Sequence, residues 1–97
     1  MKLLPKYIEK LLPPLYSQED KGEDAVAQVK FFTPWTGWTW YASEYDPAKR
    51  LFFGVVVGHE REFGYFALDE MEAIEGPAGL RIERDLHWTP RALKECQ

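Results

Sequence analysis

Residues 38–67, WTWYASEYDPAKRLFFGVVVGHEREFGYFA, decide the fold. They read as three strands joined by two short turns. In Trp38 to Tyr45, alternation sends Trp38, Trp40 and Ala42 to one face and Thr39, Tyr41, Ser43 and Tyr45 to the other. Asp46-Pro47-Ala48-Lys49 is turn chemistry. Leu51 to Val57 is apolar on both faces, as expected of a central strand covered twice. Gly58-His59-Glu60-Arg61 makes a hairpin connection. Glu62 to Ala67 then sets Phe63, Tyr65 and Ala67 opposite Gly64 and Phe66. Strands joined by connections this short are antiparallel neighbours.

Upstream, Ala25, Ala27, Val29 and Phe31 alternate with Gln28 and Lys30, which predicts a strand from Ala25 to Phe31 with one wet face. Thr33-Pro34 and Gly37 form the turn leading into Trp38. Residues 17–24, SQEDKGED, read as a polar loop. At the start of the chain, Leu4, Ile8, Leu11 and Leu12 recur at helical spacing, with Lys6, Glu9 and Lys10 opposite them. This is a short amphipathic helix ended by Pro13-Pro14. Downstream, Leu68, Met71 and Ile74 predict a helix over Asp69 to Glu75. Asp69 and Glu72 are spaced as a capping pair, and Gly76-Pro77 is the stop. Leu80 to Leu86 alternates as a charged edge strand. Thr89 suits an N-cap and Pro90 a first helical position, so Arg91 to Glu95 reads as a last helical turn. The sum is a single α+β domain over residues 1–97: an antiparallel four- to five-stranded meander sheet with short helices packed on one face.

Composition narrows the function classes. The chain has 97 residues, 45% of them hydrophobic, enough for one modest core. Twelve Lys and Arg against sixteen Asp and Glu leave a net charge of −4, and the basic residues are scattered. A surplus of carboxylates opposes phosphate-backbone binding. The single Cys96 excludes an internal disulfide and a cysteine zinc site. Terminal placement predicts a frayed, poorly reactive thiol. No apolar run approaches the ~18 residues of a membrane span, and no signal peptide is visible. The expectation is no metal, no cofactor and no membrane.

Candidate binding residues follow from chemistry. Trp35 in a turn, with Tyr41 and Tyr45 on one strand face, could form a stacking or contact surface. Trp38 and Trp40 on the other face suit the core. Gly54 and Gly64, if cross-strand neighbours, would floor a shallow groove, or else mark a bulge or room for a tryptophan. Arg84 shares a face with Leu80 and Ile82 and needs a carboxylate if buried. Glu44 is the expected partner, either as a structural ion pair or as base and anion clamp in a cleft. Asp85 and His87 complete the polar constellation, and His59 in its turn lacks the second histidine of a zinc-protease helix. No catalytic residue is assigned.

The phrases KFFTP (30–34), TWYASEYDP (39–47), FGVVVG (53–58), EFGYFALDEMEAIEGPAGL (62–80) and IERDLHW (82–88) follow one another in an order that resembles a family of small bacterial proteins known only as a domain of unknown function. The resemblance runs from about Leu3 to Trp88. It implies a cytoplasmic protein carried by plasmids, conjugative elements and phages, and it implies no reaction. The favoured expectation is a non-enzymatic accessory protein of a mobile element. It would bind a host or element-encoded protein, with the blunting of a host defence system as one role. The alternatives are a single-strand nucleic-acid accessory using Trp35 and Tyr41, and a small enzyme using Glu44 and Arg84. The expected oligomeric state is a monomer or weak dimer.

Overall fold

The computed structural model describes residues 1–97. Its strands are β1 (Val26–Ala27), β2 (Val29–Phe32), β3 (Thr39–Asp46), β4 (Leu51–Val57), β5 (Arg61–Ala67), β6 (Glu83–Arg84) and β7 (Arg91–Ala92). Its α-helices are α1 (Lys6–Glu9) and α2 (Leu68–Ala73). Five strands form one antiparallel sheet in the order β5-β4-β3-β2-β6, and β1 pairs with β7 in a separate ribbon. The fold is α+β, and β4 has the span its uninterrupted apolar run predicts.

One face of the sheet carries the larger core. Phe31, Trp40, Ala42, Tyr45, Phe52 and Phe66 pack there against Leu3, Leu4, Leu68 and Met71 from the segments around the two helices. Phe52 is central, with Phe31, Tyr45 and Phe66 rings at centroid distances of 5.3, 4.6 and 5.2 Å. The other face carries a smaller core that alternation alone does not announce. Tyr41 and Val55 pack there against Ala25, Ala27, Leu93 and Cys96. The strand expected from Ala25 to Phe31 breaks at Gln28, so its two halves serve different cores. Ala25 and Ala27 belong to the ribbon side, and Val29 and Phe31 to the helix side.

A bulge sets the geometry of β3. Ala42 pairs with Gly54 and Glu44 with Phe53, which leaves Ser43 as the extra residue. Its hydroxyl donates to the Phe53 carbonyl at 3.2 Å. One extra residue reverses the facing of everything beyond it. Tyr45 therefore joins the helix-side core, and Glu44 turns to the opposite face. The expectation that Tyr41 and Tyr45 share a face is corrected on this ground.

The chain departs from the expected elements in four further places. The first helix keeps one turn, because Leu3 and Leu4 already lie buried on the sheet, and Leu11 is exposed. Asp69 and Glu72 do not cap α2. They chelate Arg50 instead, at 2.6 and 3.0 Å, and Ala67 stands at the N-cap without a side-chain bond. The Leu80–Leu86 strand contracts to Glu83–Arg84, since a tight loop through Ala78 and Gly79, both at positive φ, bonds Gly76 N–H to the Leu80 carbonyl. Arg91-Ala92 is extended, because it pairs with Val26-Ala27, and the helical turn begins only at Leu93. Cys96 is consequently buried rather than frayed. No helix is long and apolar enough to cross a membrane.

Candidate functional site

The free edge of β5 and the outward face beside it form an exposed apolar surface built on regular structure. β5 pairs only with β4, and no other backbone group bonds to it. Alternation puts Phe63 and Tyr65 on its outer face, 43% and 53% exposed. Both lean on Phe53 of β4, Phe63 stacked at 5.9 Å between centroids and Tyr65 edge-on at 4.9 Å. Tyr16, also largely exposed, reaches the same face from the loop after α1.

Glu44 holds that loop in place. The carboxylate is buried, and its two oxygens accept the Tyr16 and Gln18 backbone N–H groups at 2.8 and 2.9 Å. Tyr16 sits at φ 72°, a left-handed conformation that costs a non-glycine residue about 1–2 kcal/mol. Charge-assisted bonds of this kind offset such a cost. Two adjoining hollows open above Glu44. One, of about 210 Å³, is walled by Gln18, Gly22, Phe53, Phe63 and Leu93. The other, of about 100 Å³, lies between Tyr16, Phe53 and Tyr65. The Tyr65 phenol is pushed up from its ordinary pKa, first by partial desolvation and then by the neighbouring Tyr16 phenol.

The residues singled out from sequence do not converge on one place. Trp35 is partly buried, its ring lying over Gly76 so closely that a Cβ there would strike it. Trp38 lies over Gly58 in the same way. Tyr41 is buried, donates to the Gln97 carbonyl at 3.1 Å and packs on Trp88 at 5.4 Å. Tyr45 is buried on the opposite face, so Trp35, Tyr41 and Tyr45 form no common platform. Gly54 and Gly64 are indeed cross-strand partners. Gly54, however, is buried under the bulge, where a Cβ would collide with the Tyr41 carbonyl, whereas Gly64 has open space above it. Gly54 marks a close backbone approach beside the Ser43 bulge, and Gly58 and Gly76 are the glycines that make room for tryptophans.

Glu44 and Arg84 do not pair. Arg84 extends the helix-side face through its Phe31 partner, while Glu44 lies on the other face beside Phe53. The guanidinium donates instead to the Lys2 and Leu3 carbonyls at 3.0 and 2.9 Å. Asp85 forms an ion pair with Lys30 at 3.6 Å and accepts the His87 backbone N–H at 2.9 Å. The His87 ring is turned to solvent. The sequence did not settle where the expected Leu80–Leu86 strand would pair. It pairs with β2, which leaves the alternating aromatic face of β5 uncovered.

No curated protein and no solved structure matches the chain. The family described as a protein of unknown function (DUF2958) matches residues 3–93, and the chain belongs to that family.

Proposed function

We propose that this domain is a protein-interaction module and that β5 is its docking element. The partner adds an extended segment to the open edge, and its alternate side chains rest on Phe53, Phe63 and Tyr65. The observation that carries this reading is the edge itself. Sheet proteins ordinarily blunt an exposed edge with charge, proline or a covering loop. Here the charged end, Arg61, is already tied to Glu23 and to the Leu93 and Cys96 carbonyls. Beyond the exposed Glu62, the strand presents aromatic rings and free backbone groups together. Such rings supply contact area at little entropic cost.

In this reading the partner is a protein met in the cytoplasm by plasmid-, phage- or conjugation-borne genes, such as a component of host defence. Affinity capture with the wild-type domain, a Phe63→Lys/Tyr65→Glu variant and a remote Lys10→Ala control tests the assignment. The expected result is one partner retained by wild type and control and lost by the double variant. Amides of residues 62–66 should also gain protection from hydrogen exchange in that complex. Equal capture by all three, or an unprotected edge, overturns the reading. Sedimentation as a tight dimer would overturn the foreign partner and give the edge to a second copy.

A further inference from the structure

The opposite edge of the sheet holds a buried cation without a counter-charge. Arg84 is 7% exposed, and no carboxylate lies within ion-pair distance of it. Its hydrogen bonds go to neutral oxygens: the Lys2 and Leu3 carbonyls, and the Tyr7 hydroxyl at 3.4 Å. A guanidinium carries five N–H donors, and these bonds occupy three. No fully buried side-chain nitrogen lacks a partner, so Nε, which makes none of these bonds, is not fully buried. Arg84 lines a groove of about 160 Å³ together with Tyr7, Leu11, Val29, Leu86 and Trp88. Asp85 also touches it, but Lys30 and the His87 N–H occupy that carboxylate.

Desolvating a cation is costly unless an anion answers it. The groove combines such a cation with apolar walls, and about 150 Å³ is enough for one benzene-sized body. Tyr7, Leu11 and Leu86 are 66%, 49% and 64% exposed and continue the apolar surface beyond the mouth. A ligand that fits all three features has a carboxylate, one compact apolar side chain next to it, and further chain to lie on the rim. We infer that this groove receives the C-terminal residue of a polypeptide ending in an aliphatic side chain, with its terminal carboxylate on Arg84.

The test uses the whole domain and three probes: the peptide Gly-Gly-Gly-Leu with a free C-terminus, the same peptide amidated, and N-acetyl-leucine. Binding is followed by NMR at the Arg84 Nε–H and Trp88 indole N–H. The free-acid peptide should bind at least about tenfold more tightly than the amide, the ratio expected of one charge-assisted bond. Arg84→Lys should weaken it. Because Arg84 also fastens residues 2 and 3, Leu86→Glu provides the second variant: an exposed position that sets a negative charge at the mouth without disturbing the core. It should reduce affinity for the acid by a larger factor than affinity for the amide, which loses only the Leu86 contact at the rim. Equal binding of acid and amide, no binding of either, or indifference to Leu86→Glu overturns the inference. N-acetyl-leucine binding as tightly as the peptide overturns the assignment to a chain end.

Discussion

Glu44 illustrates how a buried carboxylate can be spent entirely on backbone. Its neighbours are the amides of Tyr16 and Gln18 rather than a cation. Glu44→Gln keeps the shape but turns one oxygen into an N–H donor facing another donor. The expected loss is about 2–4 kcal/mol of unfolding free energy, the cost of an unmet buried bond to a charged group. Urea denaturation measures it, and a variant as stable as wild type would refute the clasp. Sequence chemistry identified Glu44 and Arg84 as residues needing partners, because charge seldom sits buried alone. It could not name those partners, since all but the Tyr7 hydroxyl beside Arg84 turned out to be main-chain atoms, which no side-chain pattern reveals.

Strand pairing was legible wherever period two ran unbroken. Leu51–Val57 needed no correction, and the hairpins followed from short turns. The failures occur where a single residue interrupts the count. The extra Ser43 moved Tyr45 across the sheet, and Gln28 divided one expected strand between two cores. The same bulge separates two glycines that look equivalent in sequence. Gly54→Ala should destabilise by about 3 kcal/mol, because its methyl group meets the Tyr41 carbonyl and backbone cannot yield cheaply. Gly64→Ala meets nothing and should stabilise by about 0.4–1 kcal/mol through reduced freedom of the unfolded chain. Paired melting curves check the contrast, and equal effects would contradict the register. At the C-terminal end, local capping signals at Thr89 and Pro90 lost to ladder bonds with a strand about 65 positions earlier.

Across the whole molecule, stability should fall on both sides of neutrality. Burial raises the pKa of the Tyr41 and Tyr45 phenols and the Cys96 thiol above their ordinary values. The unfolded chain therefore loses these protons first, and rising pH favours unfolding. This contribution is complete below the ordinary values of about 8.5 and 10 and is lost as pH climbs through the folded ones. Glu23 and Asp24 behave oppositely. Hydrogen bonds from Arg61 and Lys94 lower their pKa, so their contribution is present above about 4 and fades as pH drops through the folded values. Both carboxylates are well exposed, and the acid limb should be the shallower. Urea midpoints collected from about pH 3 to pH 11 should trace this asymmetric dome, and a midpoint unchanged above about pH 9 would contradict the buried state of the three groups.

The Arg84 bonds to Lys2 and Leu3 span 82 and 81 positions, and the Leu93 N–H closes on the Ala25 carbonyl. A nascent chain leaving the ribosome therefore exposes its first leucines and its β-meander well before the residues that cover them emerge. The hairpins can form during synthesis, but the helix-side face cannot be sealed until residue 84 has emerged, nor the ribbon-side face until residue 93 has, which makes that interval the one in which chaperones or proteases would most readily meet the domain.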